Sequence, residues 1–297
     1  MSFTLNRGFW SPPTSNLLPL DAVSGATLAF SVRKLRAGYA GSAIRVRRSS
    51  DNTEQDIGFS GNDLDSSGLL SFAGAGDAFV VKWYDQSGAG SGSRIAYQAT
   101  TSKQAKIVSS GSLITAAGAK AAIDCDGTDD GYVVQNNDSS GVTIANIITA
   151  SAYTVFALFR PDAISASSGE GYTFPAVWND MSRYVGLHLH DTDKLKLYNW
   201  DGNADYATIP GVAANANHLF EGRHESGSVY AKVDDIAEVS VASGNTQSLG
   251  GSFRIADNAV FFDGKISEIL AFDSALSFGD RSNLRSSANT YFSLGLT

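Results

Sequence analysis

This sequence has only one cysteine, no long apolar run and no surplus of basic residues. Its single cysteine, Cys125, excludes an intrachain disulfide, and the apolar neighbours Ala122 and Ile123 predict a buried, inert thiol. No apolar run approaches the roughly 20 residues that span a bilayer, so no membrane partner is expected. Residues Met1–Arg7 lack the basic and apolar regions of a signal peptide. We therefore expect synthesis in the cytoplasm without a secretion signal.

Basic residues are outnumbered, at 22 against 30 acidic ones, which gives a formal net charge of −8. A nucleic-acid partner is not expected, because phosphate binding needs a concentrated basic face. One basic run, Arg45–Arg48, stands near Arg33, Lys34 and Arg36. A solvated face, or a set of internal pairs with Asp and Glu, is the favoured interpretation, and a phosphate site is the alternative.

The composition is that of a globular chain rich in strands and turns, with 43% hydrophobic residues, 18% charged residues and 30 glycines. Short apolar runs separated by Gly, Asn or Asp dominate the sequence from about residue 111 onward. Candidate strands are Ala121–Asp126, Gly131–Gln135, Tyr153–Arg160, Tyr184–His190, Leu195–Trp200, His218–His224, Ser228–Val233, Ala237–Ala242, Gly251–Ile255 and Phe261–Phe272. The predicted fold class is therefore mainly β, an antiparallel sandwich.

Three parts of the chain differ in pattern. Residues 1–20 read as an arm that could anchor the protein, residues 21–110 as an α+β opening portion packed on the sandwich, and residues 111–297 as the sandwich itself. In the opening portion, the spacing of apolar residues predicts a helix from Ser24 to Arg36. A second helix, Ser66–Phe72, is predicted after the capping residue Asp65. A terminal helix is expected at about Ser277–Tyr291.

Four segments of the second half resemble laminin-G-like domains of the concanavalin-A superfamily. They are Ala122–Val133, Tyr153–Pro161, Val229–Asp235, and Phe262–Ile269 with Asp273–Ser277. The resemblance implies a concanavalin-A-type jelly-roll sandwich, and many such domains bind calcium at the rim of the sandwich. It says little about the ligand.

The first third carries a second resemblance, in Tyr39–Asp51, Asp56–Phe59 and Trp83–Gly88. These segments are similar to phage-encoded structural and tail-associated proteins, and to the catalytic domain of fungal α-L-arabinofuranosidase B. The string Trp-Tyr-Asp-Gln-Ser-Gly is the most specific of them.

The arabinofuranosidase resemblance implies a retaining glycosidase, which needs two carboxylates about 5–5.5 Å apart. The strand comparable to the one that bears the family's nucleophile, Arg183–His190, contains no carboxylate. Asp257 matches the position of the acid/base, and it is the one catalytic candidate. The family's cysteines are also absent. We therefore expect that the chain is not an enzyme, since one carboxylate alone cannot perform a double displacement.

Aromatic and acidic side chains suggest where a glycan could bind. Trp83, Tyr84 and Asp85 could provide a stacking platform and a partner for a sugar hydroxyl. The alternative is an Asx-type turn whose aromatic side chains fill the core. Further candidate platforms are Trp178, Tyr198 and Trp200.

Two groups of residues could hold a metal ion. Asp126, Asp129 and Asp130 crowd one turn, and their oxygens are ligands that Ca²⁺ takes. His188 and His190 alternate on one predicted strand and so share a face. A turn bonded to its own backbone, and a polar sheet face, are the favoured alternatives. No cofactor is therefore assigned, with Ca²⁺ as the open possibility.

These observations lead to a leading hypothesis and two alternatives. The leading one is a phage virion structural protein, a head fibre, decoration or tail-associated subunit whose lectin-like sandwich binds host or environmental glycans. It would lie on the virion surface, form a homo-oligomer, and attach to other virion proteins through the arm at residues 1–20. The alternatives are a glycoside hydrolase related to arabinofuranosidase B, and a free carbohydrate-binding lectin.

Overall fold

A computed structural model describes residues 17–89, 94–136, 142, 146–149, 151–164, 177–179, 185–190, 194–200, 204–244, 251–258 and 260–297. The described ranges contain three α-helices, two 3₁₀ helices and 23 strands. The α-helices are α1 Pro19–Ala22, α2 Ser66–Ala73 and α3 Phe278–Phe292, and the 3₁₀ helices are Thr101–Lys103 and Ala117–Ala119. The strands are β1 Ala26–Ser31, β2 Ile44–Arg48, β3 Glu54–Ile57, β4 Phe59–Ser60, β5 Asp63–Leu64, β6 Ala78–Tyr84, β7 Arg94–Tyr97, β8 Lys106–Ser109, β9 Ser112–Leu113, β10 Ile123–Asp126, β11 Tyr132–Asn136, β12 Tyr153–Pro161, β13 Val177–Asn179, β14 Val185–His190, β15 Lys194–Trp200, β16 Ala204–Pro210, β17 His218–Glu225, β18 Ser228–Val233, β19 Val239–Ala242, β20 Ser252–Ile255, β21 Asp257–Asn258, β22 Val260–Phe261 and β23 Asp263–Phe272.

One layer of the sandwich, the front sheet, runs in the order β16–β15–β14–β13–β20–β11–β7–β6–β2–β3, and every pairing in it is antiparallel. Residues paired across antiparallel strands point to the same side of a sheet. One continuous row of partners can therefore be followed across all these strands, and we call it the open row. It consists of Tyr206, Tyr198, Gly186, Val177, Arg254, Val133, Tyr97, Lys82, Arg45 and Asp56.

The other layer, the back sheet, is built on the long strand β23. One edge of β23 pairs with β12, which continues through β17 and β18 to β19. The other edge pairs with β1 at one end and with β10 at the other. Strand β8 pairs with both β6 and β10, so it connects the two sheets. The main core lies between the sheets and includes the fully buried rings of Trp83, Phe220 and Phe253.

Local sequence explains several of these elements. Ser226 and Gly227 join β17 to β18 with positive φ at both positions, as a two-residue hairpin of type I′ requires. Asp65 accepts a hydrogen bond from the Gly68 amide at 2.9 Å and caps α2. Ser277 caps α3 in the same way, through the Asp280 amide at 3.1 Å.

The outer surface of the back sheet is covered by α1 and α3. A second, smaller core fills this layer and includes Ala29, Phe156, Leu270 and Leu284. Beside this core, buried carboxylates on the sheet meet arginines, as in the Glu221–Arg281 ion pair at 2.6 Å. The back sheet is thus closed on both faces.

The predicted helix from Ser24 to Arg36 is wrong, because Ala26–Ser31 forms strand β1. Every residue of β1 except Thr27 is buried: Leu28 and Phe30 face the main core, and Ala29 faces the smaller one. A strand covered on both sides reads as a continuous apolar run, which helix periodicity imitates over a short window.

The predicted fold class is confirmed: the chain is mainly β, an antiparallel sandwich with a short C-terminal helix. The sequence prediction missed β16, and it also missed six strands of four residues or fewer, which are β5, β7, β8, β9, β13 and β21. The proposed boundary near residue 110 stays a prediction, and strands from both sides of it pair in the front sheet. Residues 1–16 of the predicted arm lie outside the described residues. None of the described helices has the length and apolar composition needed to cross a membrane.

Candidate functional site

A pocket of about 490 Å³ opens at the β3 end of the front sheet, on the same face as the open row. Its walls come from the segment between β1 and β2 and from the ends of β3, β6 and β7. Aromatic, cationic and acidic side chains line it together. Ligand pockets of this size that combine apolar surface with a few polar groups are the usual places where small molecules bind.

Tyr39 forms one wall of the pocket. Its hydroxyl donates to the Ser42 carbonyl at 2.9 Å, and its ring meets Phe59 edge to face. A Cβ at Gly41 would lie 2.6 Å from the Tyr39 hydroxyl, so only glycine leaves room for this ring position. Burial, followed by the charge of Asp85, raises the pKa of Tyr39 to about 12. The phenol is therefore a neutral hydrogen-bonding group at physiological pH.

A second wall is formed by Tyr84 with Asp56. The Tyr84 hydroxyl donates to Asp56 Oδ1 at 2.8 Å, and Arg45 Nε donates to the same oxygen at 2.9 Å. Burial, followed by the Asp56 hydrogen bond, raises the pKa of Tyr84 above its ordinary value. Asp56 is therefore held by two partners and neutralised by Arg45.

Asp85 lines the base of the pocket, but its carboxylate is used internally. Oδ1 accepts the amides of Ala29 at 2.7 Å and Ser87 at 2.9 Å, and Oδ2 accepts the Ser87 hydroxyl at 2.7 Å. Burial raises the pKa of Asp85, and the hydrogen bonds from Ser87 act in the opposite direction. This is the Asx-type turn that the sequence offers as the alternative to a sugar contact.

The neighbours of Asp85 fasten the front sheet to the back sheet. Trp83 is 1% exposed and packs against Phe30, so its ring belongs to the core and not to the pocket surface. The buried Gln86 amide donates to the carbonyls of Ser31 and Arg33 and accepts the Leu35 amide. The specific string Trp83–Gly88 therefore has a structural explanation.

Arg36 is the one pocket cation that the described structure leaves without a hydrogen bond or an ion pair. Its Nε is buried and unpaired. By contrast, Arg94 donates to the carbonyls of Thr27 and Asn146. The Arg36 guanidinium lies against Gly88, where a Cβ would come within 2.1 Å of Nη2.

The other end of the open row carries exposed aromatic surface. Tyr206 is 44% exposed and stacks on Tyr198 with centroids 5.9 Å apart, and the Lys196 ammonium lies 4.5 Å from its centroid. Tyr198 itself is buried at 7% exposure. Sequence reasoning chose Tyr198 and missed Tyr206. The register pairing of β15 with β16 could not be read from the sequence.

Several other sequence candidates have a described backbone only. Trp178 lies on β13 opposite Phe253, and Asp257 opens β21, which directly follows β20. Trp200 ends β15 opposite Ala204. The side chains of these three residues lie outside the described part. The same holds for the histidines, His188 opposite Lys196 and His190 opposite Lys194.

The acidic turn of the sequence analysis is assembled as expected. Ligand oxygens of Asp126, Asp129 and Asp130 lie within 4.8 Å of one another. Asp126 accepts the amides of Thr128 and Asp129, and Asp130 accepts the Asp126 amide at 3.0 Å. Burial, and then the charge of Asp126, raise the pKa of Asp130 to about 7. The turn is thus bonded to its own backbone, and its oxygens could also hold a hard cation such as Ca²⁺.

Three solved structures of arabinofuranosidases share this fold. One, complexed with arabinofuranosyl-α-1,2-xylobiose, has a TM-score of 0.68 at 15% identity. A mutant GH54 α-L-arabinofuranosidase soaked with 4-nitrophenyl α-L-arabinofuranoside gives 0.68 at 16%, and a GH54 enzyme with a cyclic sulfate inhibitor gives 0.63 at 17%. Each match covers 91% of this chain and 64% of the other, so the chain spans less than two thirds of those proteins. No family model and no curated protein matches the chain.

These matches correct the leading hypothesis. The prediction of a phage structural protein, whether fibre, decoration or tail subunit, is wrong, because the matched structures are glycoside hydrolases and none of the findings indicates a virion protein. The expectation that the chain is not an enzyme is contradicted by the same matches. It depended on the absence of a carboxylate from Arg183–His190, and a single strand was too narrow a basis. The predicted arm attachment, oligomerisation, glycan partners and location are not tested and stay predictions.

Proposed function

We propose that this protein is a glycoside hydrolase, with α-L-arabinofuranosides as its substrate class. The observation that supports this most is the fold likeness to arabinofuranosidases over 91% of the chain, at a TM-score of 0.68. At 15% identity the likeness concerns the fold, so the activity is our inference from it.

Asp257 is the proposed acid/base. Strand β13 pairs antiparallel with both β14 and β20, so β14 and β20 run in the same direction. Gly186 and Arg254 occupy the same row of the sheet, both opposite Val177. The residues that follow Gly186 in β14 and Arg254 in β20 therefore lie towards the same ends of these strands. Asp257, which comes just after β20, lies at that end.

The nucleophile is proposed among the carboxylates that the sequence places just after β14. These are Asp191 and Asp193, which follow His190 directly. A retaining mechanism needs its two carboxylates about 5–5.5 Å apart, one attacking the anomeric carbon while the other protonates the leaving oxygen. Asp201 follows β15, which runs antiparallel to β14, and so it serves as a matched control.

The test is release of 4-nitrophenol from 4-nitrophenyl α-L-arabinofuranoside by the full chain and by four variants. We expect turnover in the wild type, loss of at least about a hundredfold in Asp257→Asn, and a comparable loss in either Asp191→Asn or Asp193→Asn. Asp201→Asn should retain activity. Wild-type protein that is folded by circular dichroism and releases no nitrophenol, and no arabinose from arabinosylated xylan, would refute the proposal.

A further inference from the structure

An unpaired arginine in a pocket is unusual, because a desolvated charged group without partners is costly. Leaving a buried donor without a partner destabilises the fold, and more so when the group is charged. Arg36 bears that cost in the described structure, while every other arginine around the pocket has a partner: Arg45 has Asp56, and Arg94 has two backbone carbonyls. The exposed edge of the Arg36 guanidinium is therefore available to a ligand.

The guanidinium lies beside a glycine and has no acidic partner among the described residues. Gly88 has a φ of +74°, and a Cβ at this position would lie 2.1 Å from Arg36 Nη2 and 2.5 Å from Nη1. The guanidinium thus occupies the space that the missing Gly88 side chain leaves at the pocket wall. A planar guanidinium is suited to a carboxylate, which it can bind through two parallel hydrogen bonds.

The rest of the pocket is suited to a sugar ring. Tyr39 and Tyr84 line the pocket with phenols that stay neutral, and the Asp56 carboxylate beside them already accepts from Tyr84 and Arg45. Aromatic rings pack on the apolar C–H patches of pyranoses, and fixed polar groups orient the hydroxyls. The carboxylates of Asp56 and Asp85 are both already satisfied, so they leave Arg36 as the free charge.

We propose that this pocket is a binding site for an acidic sugar, a uronic acid whose carboxylate pairs with Arg36 while its ring lies against Tyr39 and Tyr84. The pocket lies at the β3 end of the open row, whereas Asp257 follows β20 near the middle of the front sheet. It would therefore be a second carbohydrate site, separate from the proposed hydrolytic one. Binding needs no turnover, so the inference stands or falls independently of the proposed function.

The test measures binding of glucuronic acid and galacturonic acid to the full chain by saturation-transfer NMR and calorimetry. Glucose and galactose provide the same rings without the carboxylate, and inorganic phosphate and sulfate provide charge without the ring. We expect binding of at least one uronic acid and at least about tenfold weaker binding of its neutral counterpart, since a hydrogen bond to a charged group contributes about 1.5–3 kcal/mol.

Two variants connect that binding to Arg36. Arg36→Gln removes the charge, and Gly88→Ala places a methyl group where the guanidinium lies; each should weaken uronic acid binding by at least about tenfold. Lys103→Gln, a charge removal outside the pocket, should not. Because Arg36 has no partner among the described residues and its Nε is buried, Arg36→Gln should not lower the unfolding midpoint, whereas loss of a structural contact would lower it.

Four results would overturn the proposal. The first three are equal affinity for uronic acids in wild type and Arg36→Gln, binding of neutral sugars as tightly as uronic acids, and no uronic acid binding at all. Phosphate or sulfate binding as tightly as the uronic acids would also overturn it, because the pocket would then recognise charge alone. Loss of 4-nitrophenol release without loss of uronic acid binding would affect only the proposed function.

Discussion

The outer faces of the two sheets differ in whether their charged side chains are buried or exposed to solvent. On the back sheet, α1 and α3 cover the face, and its charges are buried in pairs: Arg33 bonds Glu268 through Nε at 2.7 Å and Nη2 at 2.8 Å. On the front sheet, Lys82, Arg45 and Asp56 of the open row stand in partial contact with solvent. The comparison teaches that charged side chains on the covered face pair out of contact with water, whereas the Arg45–Asp56 pair of the open face is formed within reach of solvent.

The largest effect should come from breaking a pair on the covered face. Glu268→Ala leaves Arg33 buried without its partner; the two side chains are 5% and 4% exposed. We expect a loss of about 3–5 kcal/mol in the free energy of unfolding, because one partner of a buried pair is left uncompensated. Urea denaturation measures it. Lys106→Gln, which breaks the more exposed pair with Asp77, is the control and should cost at most about 1 kcal/mol. Equal losses in the two variants would mean that the buried pair on the covered face stabilises the fold no more than the exposed pair does.

A smaller effect, dependent on pH, is expected at the acidic turn near the sandwich rim. The pKa of Asp130 is raised from 3.8 to about 7, so the fold favours its protonated form. The stability that protonated Asp130 contributes to the fold is complete below about pH 3.8 and is lost as the pH rises towards about 7. Unfolding free energies of wild type and Asp130→Asn should therefore diverge in favour of the variant as the pH rises. If Ca²⁺ binds the turn, its addition above pH 7 should stabilise the wild type and not Asp130→Asn. Parallel profiles of unfolding free energy against pH for the two proteins would exclude a titration of Asp130 in this range.

The next effect concerns a histidine at the start of β17. His218 Nδ1 lies 2.7 Å from Asp234 Oδ2, and Nε2 lies 2.9 Å from the Ala213 carbonyl. Burial alone would lower the pKa of His218, but these two hydrogen bonds outweigh it, and the pKa is raised above 6.5. Its contribution is therefore complete below about pH 6.5 and is lost as the pH rises through the folded pKa. In denaturation at several pH values, the advantage of wild type over His218→Gln should shrink on going to alkaline pH; an advantage that grows would contradict the assignment.

The smallest effect on stability should come from the open face. Tyr206→Ala removes a ring that is 44% exposed, and the unfolding free energy should change by no more than about 0.5 kcal/mol. The variant should instead be retained less than the wild type in affinity electrophoresis through arabinosylated xylan. Tyr153→Ala, which removes a fully buried tyrosine, is the contrasting variant and should cost about 3–5 kcal/mol. Comparable destabilisation by the two variants would show that Tyr206 on the open face contributes to stability as much as a core tyrosine does.

Local signals explain what could be predicted of the fold. The caps Asp65 and Ser277 are visible in the sequence, and α2 and α3 begin directly after them. Alternation in Lys194–Tyr198 predicts a half-buried strand; β15 alternates in burial over Lys194–Leu197, but Tyr198 and Asn199 are both buried. By contrast, β1 was mistaken for a helix, because its burial on both sides depends on α1 and α3, which contact it only in the folded chain.

The candidate sites show the same difference between residues marked by local sequence signals and residues brought together by the fold. Tyr84 and Asp85 were found from a specific string, and they do line the pocket. Arg36 and Tyr39 lie between β1 and β2, and Asp56 lies on β3. They were not recognised as a site, because these two segments and Tyr84 of β6 come together through the β2–β3 and β2–β6 pairings. No sequence signal marks an arginine as unpaired, since that property depends on every neighbour.

The sequence by itself determined the fold class, the ends of two helices and the acidic turn, because turn residues, caps and alternation act within a few positions of the chain. Tertiary structure decided which sheet face is covered, which charges are paired and where Arg36 lies beside Gly88. These depend on contacts between residues far apart in the chain, such as the 235 positions that separate Arg33 from Glu268. Pairing across that distance is set by packing and register, which local patterns do not encode.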